Sequence, residues 1–346
     1  MTVCRYRRAL AVAAALLLTL SSVAFAAQTK PRPQKNANSA SASSKAPAQS
    51  GAKAKPGANA APSKASSKTS SKAGATLFVV SQNNNGSHIE PLVGIIEGRY
   101  LEPPAAESDQ FAAFASRYYR AGQKYRLLFG GGDVGAATVK AGPGKDSECA
   151  RAQATVDLQT TARINGLVMG LATNSETLGR RTAARRFPTP AERTAVNDLA
   201  GRIFRQKGVA AAAVQDMRTI NMTATDLNGD GQWEVIASFV VRTRARAEAV
   251  HHLFLIAVAD GDGFDVDLMR YARTTRGDLP EGTSLDDIQQ ALLSEVLVDH
   301  LDLDGDRMNE VVTMTMSFEG ATYKIYHKQK NRWANIYEFY SYRCAY

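Results

Sequence analysis

Three oxygen-bearing side chains stand two positions apart in "DLNGDGQWEV" (226–235): Asp226, Asn228 and Asp230, with Glu234 four positions further on. "DLDGDRMNEV" (302–311) repeats the pattern with Asp302, Asp304, Asp306 and Glu310. A tight loop can turn every second side chain toward one centre, and calcium takes roughly six to eight oxygens at about 2.3–2.6 Å. The backbone carbonyl of Gln232 would add an oxygen to the first cage and that of Met308 one to the second, with Glu234 and Glu310 closing them. Gly229 and Gly231 permit the tight backbone that points the carboxylates inward. Carboxylates gathered around a divalent cation are stabilised, whereas left empty they repel each other. Neither loop contains His or Cys, which disfavours zinc, and magnesium tolerates so crowded a geometry less well.

An EF-hand is excluded. Its loop needs Glu at the twelfth position and helices on both sides, whereas Ala237 and Thr313 stand at the twelfth positions and strand-like runs follow both loops. The spacing Asp226-x-Asn228-Gly229-Asp230-Gly231-x-x-Glu234, and Asp302-x-Asp304-Gly305-Asp306-x-x-x-Glu310, resembles the calcium loops of FG-GAP and VCBS repeats. The resemblance covers about 215–342 and implies blade-like units in which a structural calcium rigidifies a loop between two strands. Two repeats are fewer than the four blades that the smallest propellers need, and Arg307 stands where the first loop has Gly231.

The elements that would position these loops are strands. "TINMTATDLNGDGQWEVIASFVV" and "EVLVDHLDLDGDRMNEVVTMTMSF" each run strand, acidic loop, strand. "HHLFLIAVA" and "FDVDLMRYA" follow the first, and "TYKIYHKQ" and "RWANIYEFYSY" follow the second across a turn at Asn331. Val312, Met314, Met316 and Phe318 alternate with Val311, Thr313, Thr315 and Ser317, a period of two that predicts one buried face. A partly helical stretch is expected at 285–293. Before the repeats, Thr189, Pro190 and Glu192 mark a capped helix near 190–207, with Val196, Leu199, Ile203 and Phe204 on its apolar face and Gly208 as its stop. The half from 76 to 188 reads as strand-rich, with one helix at 108–122. The expected class is therefore mainly β (α+β). Its divisions are a signal peptide (1–26), a linker (27–75), a β-rich domain (76–188), and a helix with two repeats (189–346).

The amino terminus carries an export signal: Arg5, Arg7 and Arg8, then "ALAVAAALLLTL", then "AFA" at 24–26. The apolar run is shorter than the roughly 20 residues of a permanent span, and no later stretch is long enough. Residues 27–75 are rich in Ala, Ser, Lys and Pro and have no aromatic residue to bury, so they read as disordered. Residues 1–89 hold 12 Lys or Arg and no Asp or Glu, which leaves 30 basic against 33 acidic side chains from residue 90 onward. The basicity belongs to the signal and tail, and no nucleic-acid partner is expected of the folded part. Export also places Cys149 and Cys344 where a disulfide can form. A Cys149–Cys344 bridge would close a loop of about 195 residues, worth roughly 5 kcal/mol in the chain-entropy account.

Other motifs carry less. "GGGDVG" (130–135) satisfies G-x-G-x-x-G, but a β-like run follows where a dinucleotide site needs a helix, so a glycine-rich hairpin is expected. Arg180, Arg181, Arg185 and Arg186 read as a solvated connector. His251 and His252 are strand neighbours pointing to opposite faces, and His88, His300 and His327 have no ligand-spaced partner. No nucleophile elbow is present, and nothing marks Asp299 and Asp302 as an acid–base pair. The expected protein is an exported, periplasmic or secreted, non-enzymatic binding protein with structural calcium, its partner an envelope polymer or surface protein. The alternatives are an envelope-polymer hydrolase and a structural protein anchored by its basic tail.

Overall fold

The structure is a computed structural model that describes residues 74–144, 149–244, 248–261, 263–288 and 291–343. The expected signal segment, the expected linker up to residue 73 and Cys344 lie outside these residues. The first strands are β1 (Ala75–Asn83), β2 (Gly86–Ile96) and β3 (Arg99–Leu101), followed by the helix α1 (Asp109–Tyr118). Then come β4 (Lys124–Phe129), β5 (Gly132–Ala141), β6 (Ala154–Thr160) and β7 (Gly170–Thr173). Pairing runs β1-β7-β4-β5-β6-β2, with β3 beyond, and β1 also pairs with β2, so six antiparallel strands close into a barrel.

"LFVV" is apolar without a break because β1 is buried on both faces. Phe78 and Val80 join Tyr125, Leu127 and Phe111 of α1 in one core, with the rings of Phe78 and Tyr125 4.8 Å apart. Leu77 and Val79 join a different core on the other side. "GGGDVG" is the expected hairpin: Gly130 (φ 64°) and Gly131 (φ 76°) form the turn between β4 and β5, a conformation of the primed kind that glycine adopts freely.

The chain then passes through β8 (Arg185–Arg186), α2 (Pro190–Gln206) and α3 (Ala211–Val214) into β9 (Arg218–Thr225), β10 (Glu234–Thr243), β11 (Ala249–Asp260) and β12 (Gly263–Thr275). These make an antiparallel sheet ordered β12-β11-β10-β9-β8. The capping box of α2 is present: the Glu192 N–H donates to Thr189 Oγ1 at 3.2 Å and the Thr189 N–H to Glu192 Oε2 at 2.7 Å. Val196, Leu199, Ile203 and Phe204 pack on Phe239, Leu253 and Leu255 of the sheet. Each such side chain stabilises by about 1.5–3 kcal/mol when fully buried.

The last sheet is a meander, β13 (Glu295–Leu301), β14 (Glu310–Met316), β15 (Gly320–Gln329) and β16 (Arg332–Tyr342), ordered as in sequence. It is buried on both faces rather than the one expected. Val296, Val298, Val312, Met314 and Tyr323 pack against the barrel's Leu77, Val79 and Leu171. Leu297, Val311 and Tyr326 face the other way, onto Ile236, Phe254 and Ile256. Thr313 tolerates burial because its hydroxyl donates to Glu295 at 2.7 Å. The layers are thus barrel, β13–β16 sheet, β9–β12 sheet and α2. The fold is mainly β and antiparallel, and the two meanders stack face to face. Among its described residues, the stretch expected to be partly helical holds a 3-10 turn, Leu285–Asp287. Among the described residues no helix is long and apolar enough to cross a membrane.

Candidate metal centre

The acidic loops connect β9 to β10 and β13 to β14, and they share one hydrogen-bond scheme. In the first loop Asp226 accepts from the N–H groups of Gly229 (2.6 Å) and Gly231 (2.9 Å), Asn228 from that of Asp230 (2.9 Å), and Asp230 from that of Gln232 (2.7 Å). In the second, Asp302 accepts from Gly305 (2.7 Å) and Arg307 (3.2 Å), Asp304 from Asp306 (3.1 Å), and Asp306 from Met308 (2.8 Å). The closing glutamates match too: Glu234 accepts from the Leu227 N–H at 2.9 Å and Glu310 from that of Leu303 at 2.7 Å. These local bonds explain why Asp and Asn occupy alternate positions: each short side chain is tied to a backbone N–H two or more residues on.

The sixth position must turn left-handed. Gly231 does so at φ 84°, and Arg307 is forced to φ 79°. The loops lie side by side, since the Asn309 N–H donates to the Leu227 carbonyl at 2.9 Å. The Arg181 guanidinium bridges them, donating to the carbonyls of Arg307 (3.0 Å) and Asn228 (3.4 Å).

The ten residues named from sequence therefore fall in two matched loops, but their carboxylates differ in how they gather. Asp302, Asp304 and Glu310 place ligand oxygens within 4.8 Å of one another, and Asp304, Asp306 and His327 do the same. Asp226, Asp230 and Glu234 form no such group. Burial raises the Glu234 carboxyl, with Asp226 and Asp230 adding to it. Burial pushes Glu310 up to about 7, and Asp304 raises it further, against the Leu303 N–H and His327. Burial disfavours the charged form of His327, but Glu310, Asp304 and Asp306 together raise it.

His327 is the residue that loop spacing missed. It lies in β15, and the pairing of Val311 with Tyr326 sets it beside Glu310. Its Nδ1 is 2.5 Å from Glu310 Oε1 and 3.9 Å from Asp304 Oδ2. The absence of His from the loop sequence therefore does not mean its absence from the site. Only the hairpin register of β14 and β15 could have signalled it.

The other arginines and histidines singled out from the sequence include several that pair with neighbours inside the fold. The arginine run is a solvated connector at Arg180 but not throughout: the Arg185 side chain is 2% exposed and pairs with Asp299, 0% exposed, at 3.4 Å. Arg185 also donates to the carbonyls of Met169 (3.0 Å) and Val298 (2.9 Å) and lies over the Phe129 ring. Asp299 accepts from the Gly130 N–H at 2.9 Å. Burial pushes its carboxyl up to about 6, with Arg185 pulling the other way. His300 beside it bonds Thr225 through Nε2 and the Asn309 amide through Nδ1 at 2.9 Å. Thr225 donates onward to the Ala184 carbonyl, so Nε2 carries the proton and Nδ1 accepts. Burial lowers the His300 ring to about 3, and it stays neutral. His252 meets Ser294 and His251 meets Tyr271.

A cleft of ≈ 450 Å³ lies between the barrel and the β13–β16 sheet, lined among others by Met169, Met314, Gln153, Cys149 and Arg343. Buried Glu90 accepts from Arg343, Ser341 and Tyr323 beneath it. Neither Asp299 nor Glu310 is among the residues that line this cleft. Comparison with known proteins finds no matching family model, no matching curated protein and no matching solved structure.

Proposed function

We propose that the chain is an exported, non-catalytic binding protein in which a cation held by the acidic loops stiffens the seam between two stacked, blade-like meanders. Calcium is the ion for the first loop, whose donors Asp226, Asn228, Asp230, Glu234 and the Gln232 carbonyl are all oxygens. The observation that carries this reading is the shared loop scheme, tied across the seam by Asn309 to Leu227 and by Arg181 to both loops. A stiffened seam holds two sheet faces and the barrel in one arrangement, which suits a scaffold presenting a surface to an envelope polymer or surface protein. The FG-GAP and VCBS resemblance belongs to this reading, as does a Cys149–Cys344 bridge. The bridge is supported by Cys149 and Arg343, the residue before Cys344, lining the same cleft.

The test is thermal unfolding of the mature protein in excess EDTA and then in millimolar calcium, with Asp230→Ala alongside. Calcium should raise the midpoint in the parent chain and fail to do so in the variant. An unchanged midpoint in both would leave the loops as acidic turns held only by their own backbone bonds.

A further inference from the structure

We infer that the second acidic loop together with His327 is a mixed nitrogen–oxygen site for a divalent d-block cation, with zinc(II) as its probe. The inference rests on the cation-loop reading above and changes the metal at one of its two loops.

The donors come from three places in the fold: Asp304 and Asp306 from the loop, Glu310 from the start of β14, and His327 from β15. Asp304, Asp306 and His327 already converge within 4.8 Å. The imidazole side chain is 9% exposed, so it is held in place rather than drifting at the surface. Imidazole suits zinc and its neighbours in the d-block, and calcium prefers oxygen alone. Zinc binds His nitrogen and carboxylate oxygen at about 2.0–2.2 Å, which sets neighbouring donors about 3.3 Å apart in a tetrahedron. The Asp304–His327 separation of 3.9 Å must therefore shorten slightly and the His327–Glu310 contact of 2.5 Å must open, and Asp304 and Asp306 are exposed enough to swing in. The cation would take the place of the proton shared between His327 Nδ1 and Glu310, and binding releases that proton to solvent.

The first loop is the internal control. It has the same hydrogen-bond scheme, and Val235 pairs with Ala257 as Val311 pairs with Tyr326. The position equivalent to His327 is therefore Val258. That loop and its sheet form without an imidazole at this position.

The full mature chain, stripped with EDTA and dialysed, would be titrated calorimetrically with Zn2+ and separately with Ca2+, as parent, His327→Val and Asp230→Ala. One Zn2+ should bind, and His327→Val should weaken it at least tenfold while leaving the calcium-dependent midpoint shift intact. Asp230→Ala should do the reverse. Where His327→Val fails to fold, imidazole nitrogen NMR of the parent replaces it, with the Nδ1 resonance of His327 expected to shift on adding Zn2+. Zinc affinity indifferent to His327, or a Nδ1 resonance that does not move, overturns the inference and leaves His327 as a buried hydrogen-bond partner of Glu310. A calcium response lost in Asp230→Ala would still stand in that case, so the two readings fail separately.

Discussion

Arg181 donates through Nη1 to the backbone carbonyl of Arg307 at 3.0 Å, holding the sixth position of one acidic loop from a chain segment 126 residues away. The same guanidinium reaches Asn228 in the other loop. Arg181→Met keeps the stem and removes these donors. With net hydrogen-bond contributions of about 1 kcal/mol each, the variant should lose about 1–2 kcal/mol in urea unfolding. It should also weaken cation binding at both loops together. A loss confined to one loop would show that Arg181 does not couple them.

Arg307→Gly should stabilise the protein. Arg307 sits at φ 79° where the matching residue is Gly231, and a side chain in the left-handed region costs about 1–2 kcal/mol. Its carbonyl still accepts from Arg181 and its N–H still donates to Asp302 after the change. The expected gain is about 1 kcal/mol in apo protein, read as a higher denaturant midpoint with unchanged slope.

Arg185→Met and Asp299→Leu should each cost about 3–5 kcal/mol, because each strands a buried charge. The double variant should recover much of that loss, since both charges leave together. Additive losses in the double variant would mean that the bonds from Arg185 to Met169 and Val298 outweigh the ion pair.

Glu192 supplies a pH prediction. Its bonds from Arg186 hold its carboxyl down at about 2, with the Thr189 N–H helping. A carboxyl lowered by folding adds stability that is present above the usual carboxylate range and is lost as pH falls from there toward 2. The carboxyl carbon of Glu192, followed by NMR, should titrate with a midpoint near 2 in the parent. In Arg186→Gln that midpoint should return toward 4.5. A parent midpoint already near 4.5 would show that the pair is not held in solution.

The parts of the fold that sequence exposed are those written locally. Thr189, Pro190, Glu192 and Gly208 mark α2 because caps and stops are made by neighbours. "RWANIYEFYSY" coincides with β16 because alternation and the flanking turn at Asn331 bound it. Barrel closure had no such mark: β1 pairs with β7 through Val79 and Leu171, and no local pattern announces a partner 92 residues away. The loops at 226 and 302 were legible for the same reason as the helix, since spacing alone defines them. His327 and the Arg185–Asp299 pair were not. Composition counts four arginines near 180–186 but cannot see the carboxylate that neutralises one of them.

The β13–β16 sheet has a barrel on one face and a second sheet on the other. The barrel's Leu77, Val79 and Leu171 and the first sheet's Ile236, Phe254 and Ile256 are covered by it. It stands in the molecule as a keystone does in an arch. A substitution that loosens it bares two adhesive surfaces at once, so its failure should show as aggregation rather than as local fraying.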